Sequence, residues 1–181
     1  MLRVGGLTRL SASDYPGKLA AVVFCQGCAW RCGYCHNREL MPFRRSPFPG
    51  EIAWAEVRAF LEKRRGLLDA VVFSGGEPTM QRGLAGAMRE VKSLGYLIGL
   101  HTAGIVPLAL ERVLPLVDWV AMDLKAPWER HEEVTRVPGS GVRAKASARL
   151  ILESGVASEF HTVQGRARVP ALDKRRGVEP A

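Results

Sequence analysis

The sequence has 181 residues, of which 47% are hydrophobic and 24% charged, and it carries a formal net charge of +8. This length suits one domain with a sizeable buried core, while no apolar run approaches the roughly 20 residues of a membrane-spanning helix and the start lacks a secretory signal. We therefore expect a cytoplasmic protein without a membrane partner, whose basic charge alone does not distinguish an acidic partner, an anionic cofactor and nucleic acid.

Short apolar segments rich in β-branched residues alternate along the chain with segments of helical period. Strands are predicted at 20–25, 69–75, 96–102, 119–125 and 159–163. Helices are predicted at 54–65, 83–95, 107–117 and 140–155. Continuous apolar strands that alternate with helices are typical of a parallel sheet covered by helices. The sequence therefore predicts an α/β fold whose chemistry lies beyond the carboxyl ends of the strands.

The end of the chain breaks this alternation. Residues 164–181 have no apolar period, several charges and two prolines. A sheet of this kind usually continues with another helix and strand, so we expect a fold that is shortened at its C-terminal end. The sequence predicts one domain over 1–163 and a basic, poorly ordered tail over 164–181.

All four cysteines lie in the segment CQGCAWRCGYCHN, which follows the first predicted strand, with the spacing C-x2-C-x3-C-x2-C. In a reducing compartment, clustered thiols are metal ligands or redox groups more often than disulfides. Structural zinc sites mostly separate two C-x2-C pairs by about 12–20 residues, whereas iron–sulfur clusters accept closer spacings. The spacing favours an iron–sulfur cluster. A four-cysteine zinc site that stabilises a nucleic-acid-binding module is the alternative, although we do not expect a nucleic-acid partner.

Within this segment, Cys28, Cys32 and Cys35 form a CxxxCxxC that resembles the radical S-adenosylmethionine (SAM) superfamily. The longer phrase DYPGKLAAVVFCQGCAWRCGYCHN, together with SGGEPT, GLHTAG and DWVAMDLKAP, is similar to the activating enzymes of glycyl radical enzymes. Among these it is most similar to the activating proteins of anaerobic ribonucleoside-triphosphate reductase. The resemblance runs from about Val4 to Thr162 and implies a partial (β/α) barrel of the radical SAM type.

The resemblance implies that Cys28, Cys32 and Cys35 hold a [4Fe-4S] cluster and leave one iron open for the amino and carboxylate groups of SAM. An electron from the cluster would cleave SAM to methionine and a 5'-deoxyadenosyl radical. The implied partners are a glycyl radical enzyme, namely an anaerobic ribonucleotide reductase, and a flavodoxin- or ferredoxin-like electron donor. Two alternatives stay open: a radical SAM enzyme that acts on a small molecule or RNA, and an inactive, shortened relative.

Other candidate residues follow the later strands. By resemblance, Gly75, Gly76 and Glu77 contact the methionine part of SAM, because glycines let the backbone approach a ligand and a carboxylate can accept a hydrogen bond from an amine. An ordinary turn is the alternative. Asp123 and Lys125 alternate at the end of the 119–125 strand, so both are expected on one face. By resemblance they contact SAM there, and the alternative is that they only neutralise each other.

The remaining candidates are single side chains. By resemblance, Tyr34, Cys35 and His36 line the adenine of SAM, with the alternatives that Tyr34 packs under the loop and His36 caps a turn. His101 stands where related activating enzymes often have an acidic residue, and we predict no cation site there. It is expected to be a hydrogen-bonded core histidine or to line the SAM pocket. Cys25 is expected to fill the barrel interior as a small buried hydrophobe.

Overall fold

The computed structural model describes residues 2–162 and the backbone of residues 165–168. The strands are β1 Val4–Ser11, β2 Ala20–Cys25, β3 Ala70–Gly75, β4 Leu97–Thr102, β5 Trp119–Leu124, β6 Ala157–Thr162 and β7 Gly165–Arg168. The α-helices are α1 Trp54–Glu62, α2 Leu84–Ser93, α3 Pro107–Val113, α4 His131–Thr135 and α5 Ser140–Ser154. None of these helices is long and apolar enough to cross a membrane.

The strands form one sheet in chain order from β1 to β7. Strands β2 to β6 are parallel, while β1 and β7 pair antiparallel with their neighbours. Each parallel connection contains at least one helix, as expected for right-handed crossovers. Within the described chain β1 and β7 are the two edges, so the barrel is partial. The predicted α/β partial barrel is confirmed.

Some elements differ from the sequence prediction. All five predicted strands are present, but β1, β7 and α4 were not predicted. β1 contains two consecutive glycines and follows no regular alternation, and it is stabilised by pairing with β2 across two register shifts. Helix α3 ends at Val113 because Pro115 cannot continue a helix, and a turn of 3-10 helix follows. Apart from the backbone of β7, the predicted tail at 164–181 lies outside the described residues.

Strand alternation divides the interior into two layers. Ala21, Val23 and Cys25 of β2 belong to the large core that also contains residues of α1, α2, α3 and α5. Ala20 and Val22 point the other way, into a smaller core without helical residues, on the inner face of the partial barrel. The predicted burial of Cys25 is confirmed, but its predicted position is wrong. Its place in the alternation puts it on the helix-covered face and not inside the barrel.

A loop at 12–19 covers the inner face. Its Tyr15 is buried, with its ring centroid 5.2 Å from that of Trp119. Gly99 of β4 makes room for this ring, because a Cβ there would lie 2.8 Å from Val72 Cγ2 and 3.1 Å from Tyr15 Cδ2. The loop therefore closes the bottom of the barrel interior and leaves the carboxyl ends of the strands open.

Replacement of Gly99 by alanine is expected to lower the free energy of unfolding by about 1–3 kcal/mol, because the added methyl overpacks the inner face. Gly86→Ala is the control. Gly86 lies in α2 with open space around it, so alanine is expected to stabilise the helix by about 0.5–1 kcal/mol. Urea unfolding followed by circular dichroism measures both. Equal stability of the two variants would contradict the close packing at Gly99.

Candidate active site

A cavity of about 340 Å³ lies at the carboxyl ends of β2 to β5. The residues predicted from sequence that line it are Cys28, Cys32, Tyr34, Cys35, His36, Gly75, Gly76, Asp123 and Lys125. Parallel strands end at the same edge of a sheet, so side chains distant in sequence meet there. The structure therefore brings the cysteine loop together with the ends of three further strands.

Three of the four cysteines line the cavity, and the fourth does not. Cys28, Cys32 and Cys35 are partly buried and line it, whereas Cys25 is fully buried in the helix-covered core and does not. Burial raises the pKa of Cys28 to about 12, with a contribution from the Glu77 carboxylate, and burial also raises the pKa of Cys32. These two thiols hold their protons at neutral pH until a metal displaces them.

This donor set fits an iron–sulfur cluster better than a zinc ion. A four-cysteine zinc site needs all four thiols around one point, and Cys25 is sealed inside the core. In residues 2–162, no three His, Cys, Asp or Glu side chains are grouped around a single metal position. A cluster binds its thiolates at separate irons, so three thiols that face one cavity without meeting at a single point suit it better than they suit one zinc ion.

Two exposed arginines support the cysteine loop. Arg31 Nη1 donates hydrogen bonds to the carbonyl oxygens of Cys28 (2.5 Å) and Trp30 (3.0 Å). Arg38 Nη2 donates to the carbonyl oxygen of Gly33 at 2.6 Å. Such exposed contacts stabilise the fold only modestly. They hold the backbone of the loop, whereas the positive charge that opposes the rise in the pKa of Cys32 belongs to Lys125.

The loop also rests on a buried histidine that the sequence analysis missed. Trp30 is 1% exposed, and its ring meets that of His131 edge to face at 4.8 Å. His131 Nδ1 is 3.1 Å from Ser140 Oγ, and the backbone N–H of Arg31 donates to the Thr135 carbonyl at 2.8 Å. Helix α4 has only five residues, too few for an apolar period, so the sequence contained no signal for this support.

Gly75 and Gly76 allow the loop after β3 to pack closely against the cysteine loop. Gly75 has φ +109°, and a Cβ there would collide with the backbone of Cys25. A Cβ on Gly76 would lie 2.5 Å from the carbonyl oxygen of Gly27. Backbone hydrogen bonds join the same loops, from Gly76 N to Cys25 O at 2.8 Å and from Glu77 N to Gly27 O at 3.0 Å. The glycines therefore let the loop after β3 lie directly against the cysteine loop.

Glu77 was expected to contact SAM, but in the structure it is enclosed by protein groups. Its carboxylate is fully buried and does not line the cavity. It accepts hydrogen bonds from Thr79 N (3.0 Å) and Oγ1 (2.6 Å), Thr102 Oγ1 (2.6 Å) and Ala103 N (2.9 Å). Burial raises the pKa of Glu77, and these hydrogen bonds oppose that shift. The contacts give Glu77 a role in joining β3 to β4, while its direct contact with a ligand amine stays a prediction.

Asp123 and Lys125 lie on the same face, as the alternation predicted. Lys125 Nζ is 2.8 Å from Asp123 Oδ2, and both side chains line the cavity. Burial lowers the pKa of Lys125, but Asp123, with smaller contributions from Tyr34 and Cys32, more than offsets this, so the pKa lies above its ordinary value. The Tyr34 hydroxyl donates to the Lys125 carbonyl at 3.0 Å. His161, whose Nδ1 is 3.4 Å from Asp123 Oδ1, was missed, although its strand was predicted.

Glu77→Gln is expected to lower the free energy of unfolding by about 1–3 kcal/mol, because an amide N–H would replace an oxygen that accepts from buried donors. The matched control is Glu111→Gln, an exposed position on α3, where a change within about 0.5 kcal/mol is expected. Chemical unfolding measures both. Unchanged stability with lost SAM binding would instead indicate direct contact between Glu77 and the ligand.

The fold and the three-cysteine cavity define a class of enzyme. The family profile of the radical SAM superfamily matches residues 22–165, most of the chain. This protein therefore belongs to the radical SAM superfamily. Membership implies an iron–sulfur cluster and SAM as cofactors, in agreement with the chemistry of the donor set.

Three named proteins are similar in sequence to this chain. A Methanocaldococcus jannaschii protein, provisionally named a glycyl-radical enzyme activating enzyme, is 32% identical over 153 residues, 83% of this chain and 61% of that protein. The 7-carboxy-7-deazaguanine synthase of Thermococcus kodakarensis is 28% identical over 77% of this chain and 61% of its own. The pyruvate formate-lyase-activating enzyme of Clostridium pasteurianum is 31% identical over 69% and 53%. The chain thus spans about half to six tenths of these relatives.

Solved structures share the fold at low sequence identity. QueE from Escherichia coli superposes with a TM-score of 0.56 at 12% identity, covering 90% of this chain and 84% of that chain. Native anSMEcpe with bound AdoMet superposes with a TM-score of 0.57 at 17% identity, covering 75% of this chain and 41% of that chain. These similarities agree with the partial barrel described above.

Proposed function

We propose that this protein is a radical SAM activating enzyme that holds a [4Fe-4S] cluster through Cys28, Cys32 and Cys35 and binds SAM in the adjoining cavity. When bound, the reduced cluster supplies the electron that cleaves SAM to methionine and a 5'-deoxyadenosyl radical. The observation that carries this proposal is the separation of the cysteines. Three line one cavity with the Gly75–Gly76 loop, while Cys25 is enclosed in the core.

The side chains of the cavity suit a ligand with both charges. SAM has an ammonium and a carboxylate on its methionine part, and the Asp123–Lys125 pair offers the complementary carboxylate and ammonium. Tyr34 and His36 line the cavity from the cysteine loop, where they would flank the adenine. The protein thus positions the cofactors and limits access of water.

The proposed substrate is a backbone glycine of a partner enzyme, an anaerobic ribonucleotide reductase, from which the radical removes a hydrogen atom. The activating-enzyme names of two relatives support a glycyl radical enzyme as the partner. A flavodoxin- or ferredoxin-like protein is the proposed electron donor. The exposed side chains of Arg31 and Arg38 beside the cysteine loop would favour such an acidic donor.

A second candidate is a radical SAM enzyme that acts on a small molecule. It is favoured by the sequence similarity to 7-carboxy-7-deazaguanine synthase. The cofactor site would be the same under this proposal. Only the group that donates the hydrogen atom would differ.

The cofactor proposal is tested by anaerobic reconstitution of the wild type, Cys28→Ala and Cys25→Ala, with iron, sulfide and 5'-deoxyadenosine measured after reduction. Wild type and Cys25→Ala are expected to bind about four irons per chain and to cleave SAM, since Cys25 lies outside the cavity. Cys28→Ala is expected to lose most of both. A colourless wild type with one zinc per chain, or equal loss in the two variants, would refute the assignment.

The substrate is tested by adding candidates to the reconstituted enzyme. A glycyl radical detected by electron paramagnetic resonance on an anaerobic ribonucleotide reductase is the expected result. Formation of 7-carboxy-7-deazaguanine from its precursor, without a protein radical, would favour the small-molecule enzyme. A cluster that forms without any cleavage of SAM would indicate an inactive relative.

A further inference from the structure

A second cavity, which we call the outer pocket, adjoins the active-site cavity beyond the end of β5. Its volume is about 460 Å³. Its apolar wall consists of Leu124, Ala126, Pro127, Trp128 and Val134. Lys125 lines both cavities, and a small cavity of about 130 Å³ shares lining residues with each of them. The three spaces therefore follow one another along the open edge of the sheet.

The active-site cavity has room for one small ligand. Its volume of about 340 Å³ lies near the lower end of the roughly 300–1,000 Å³ that is usual for ligand cavities. A cofactor bound there takes up most of this space, so the second reactant must approach from an adjoining one. The outer pocket lies next to the active-site cavity and is the larger of the two.

The charged side chains that line the outer pocket are already paired. Arg130 Nη2 is 3.0 Å from Glu133 Oε2, and Lys125 Nζ is 2.8 Å from Asp123 Oδ2. A charged metabolite or a phosphate would find no unpaired partner among these side chains. Apolar side chains of a polypeptide would instead be removed from water against the apolar wall. The chemistry of the outer pocket thus favours a polypeptide over a small anionic substrate.

The Trp128 ring in this wall is held in a fixed position. It stacks on the ring of His131, with centroids 6.5 Å apart and planes inclined by 24°, and His131 is fully buried. His131 in turn meets Trp30 of the cysteine loop edge to face. A Cβ on Gly141 would collide with the carbonyl oxygen of Trp128, so the start of α5 packs directly against this turn. An aromatic wall fixed in this way loses little freedom when it binds a partner.

We propose that the outer pocket binds an apolar segment of the partner polypeptide, beside the residue that gives up its hydrogen atom in the adjoining cavity. The inference rests on the proposed function for the reaction and adds the class of substrate, a polypeptide segment with apolar side chains next to the reacting glycine. Trp128 and Val134 are the binding residues. A polar small molecule would leave the outer pocket unused.

The first measurement is the ¹⁹F spectrum of the cluster-free full chain labelled with 5-fluorotryptophan, with the Trp128 signal assigned by comparison with Trp128→Phe. The probe is the capped peptide Ser-Phe-Ala-Gly-Ala-Leu-Ser, and the matched probe is Ser-Asn-Ala-Gly-Ala-Gln-Ser. We expect the first peptide to move the Trp128 signal with a dissociation constant of about 1 mM or less, since two buried apolar side chains supply an affinity of this order. The second is expected to bind at least about tenfold more weakly.

The second measurement is the affinity of the fluorescein-labelled apolar peptide for wild type and variants by fluorescence anisotropy. Trp128→Ala is expected to weaken binding at least about fivefold and Val134→Asn at least about threefold, because each removes part of the apolar wall. Trp54→Ala is the matched control, since Trp54 is a half-buried tryptophan that lines a different cavity, and it is expected to stay within about twofold. Thermal unfolding is measured alongside, and Val134→Asn carries the comparison if Trp128→Ala does not fold.

Three results would overturn the inference: a Trp128 signal that the apolar peptide does not move, equal binding of the two peptides, and equal loss of affinity in Trp54→Ala and Trp128→Ala. A Trp128 signal that changes on dilution of the protein but not with peptide would assign the outer pocket to a second copy of the chain, and overturns it too. Neither measurement needs a cluster or SAM. Reconstituted wild type that binds the apolar peptide at Trp128 but does not cleave SAM would refute the proposed function alone.

Discussion

The site depends on the contact between the loop after β2 and the loop after β3. Glycines at 75 and 76 let these loops touch, and the hydrogen bond from Gly76 N to Cys25 O joins them. Glu77 then links the second loop to the end of β4 through Thr102 and Ala103. Because a buried carboxylate with four donors is costly to disturb, three strand ends keep a fixed geometry around the cavity.

The two faces of the sheet carry different kinds of residue. The helix-covered face is largely apolar and contains Cys25, which therefore does not line the cavity. The inner face has the chemistry at its open end, with His101, Asp123 and His161, and is closed below by Tyr15. The period of two along each strand produces this division. It explains why Cys28, Cys32 and Cys35 line the cavity while Cys25 does not.

Much of this could be predicted from the sequence. The five parallel strands, their shared edge and the common face of Asp123 and Lys125 follow from apolar runs and alternation, while the choice of Cys28, Cys32 and Cys35 among the four cysteines came from the family resemblance. Strand β1 and helix α4 could not, because a glycine-containing edge strand and a five-residue helix have no periodic signal. The support of Trp30 by His131 depends on that helix, so it was missed as well.

The sequence by itself determined which residue types are available for chemistry and at which strand ends they lie, since both follow from local periodicity. The tertiary structure decided their roles. It joined the Glu77 carboxylate to Thr102 and Ala103 at the end of β4, and placed the Asp14 carbonyl beside His101. These contacts join residues 25 to 87 positions apart. Only the folded sheet brings such residues within hydrogen-bonding distance, and no local pattern encodes which of them will meet.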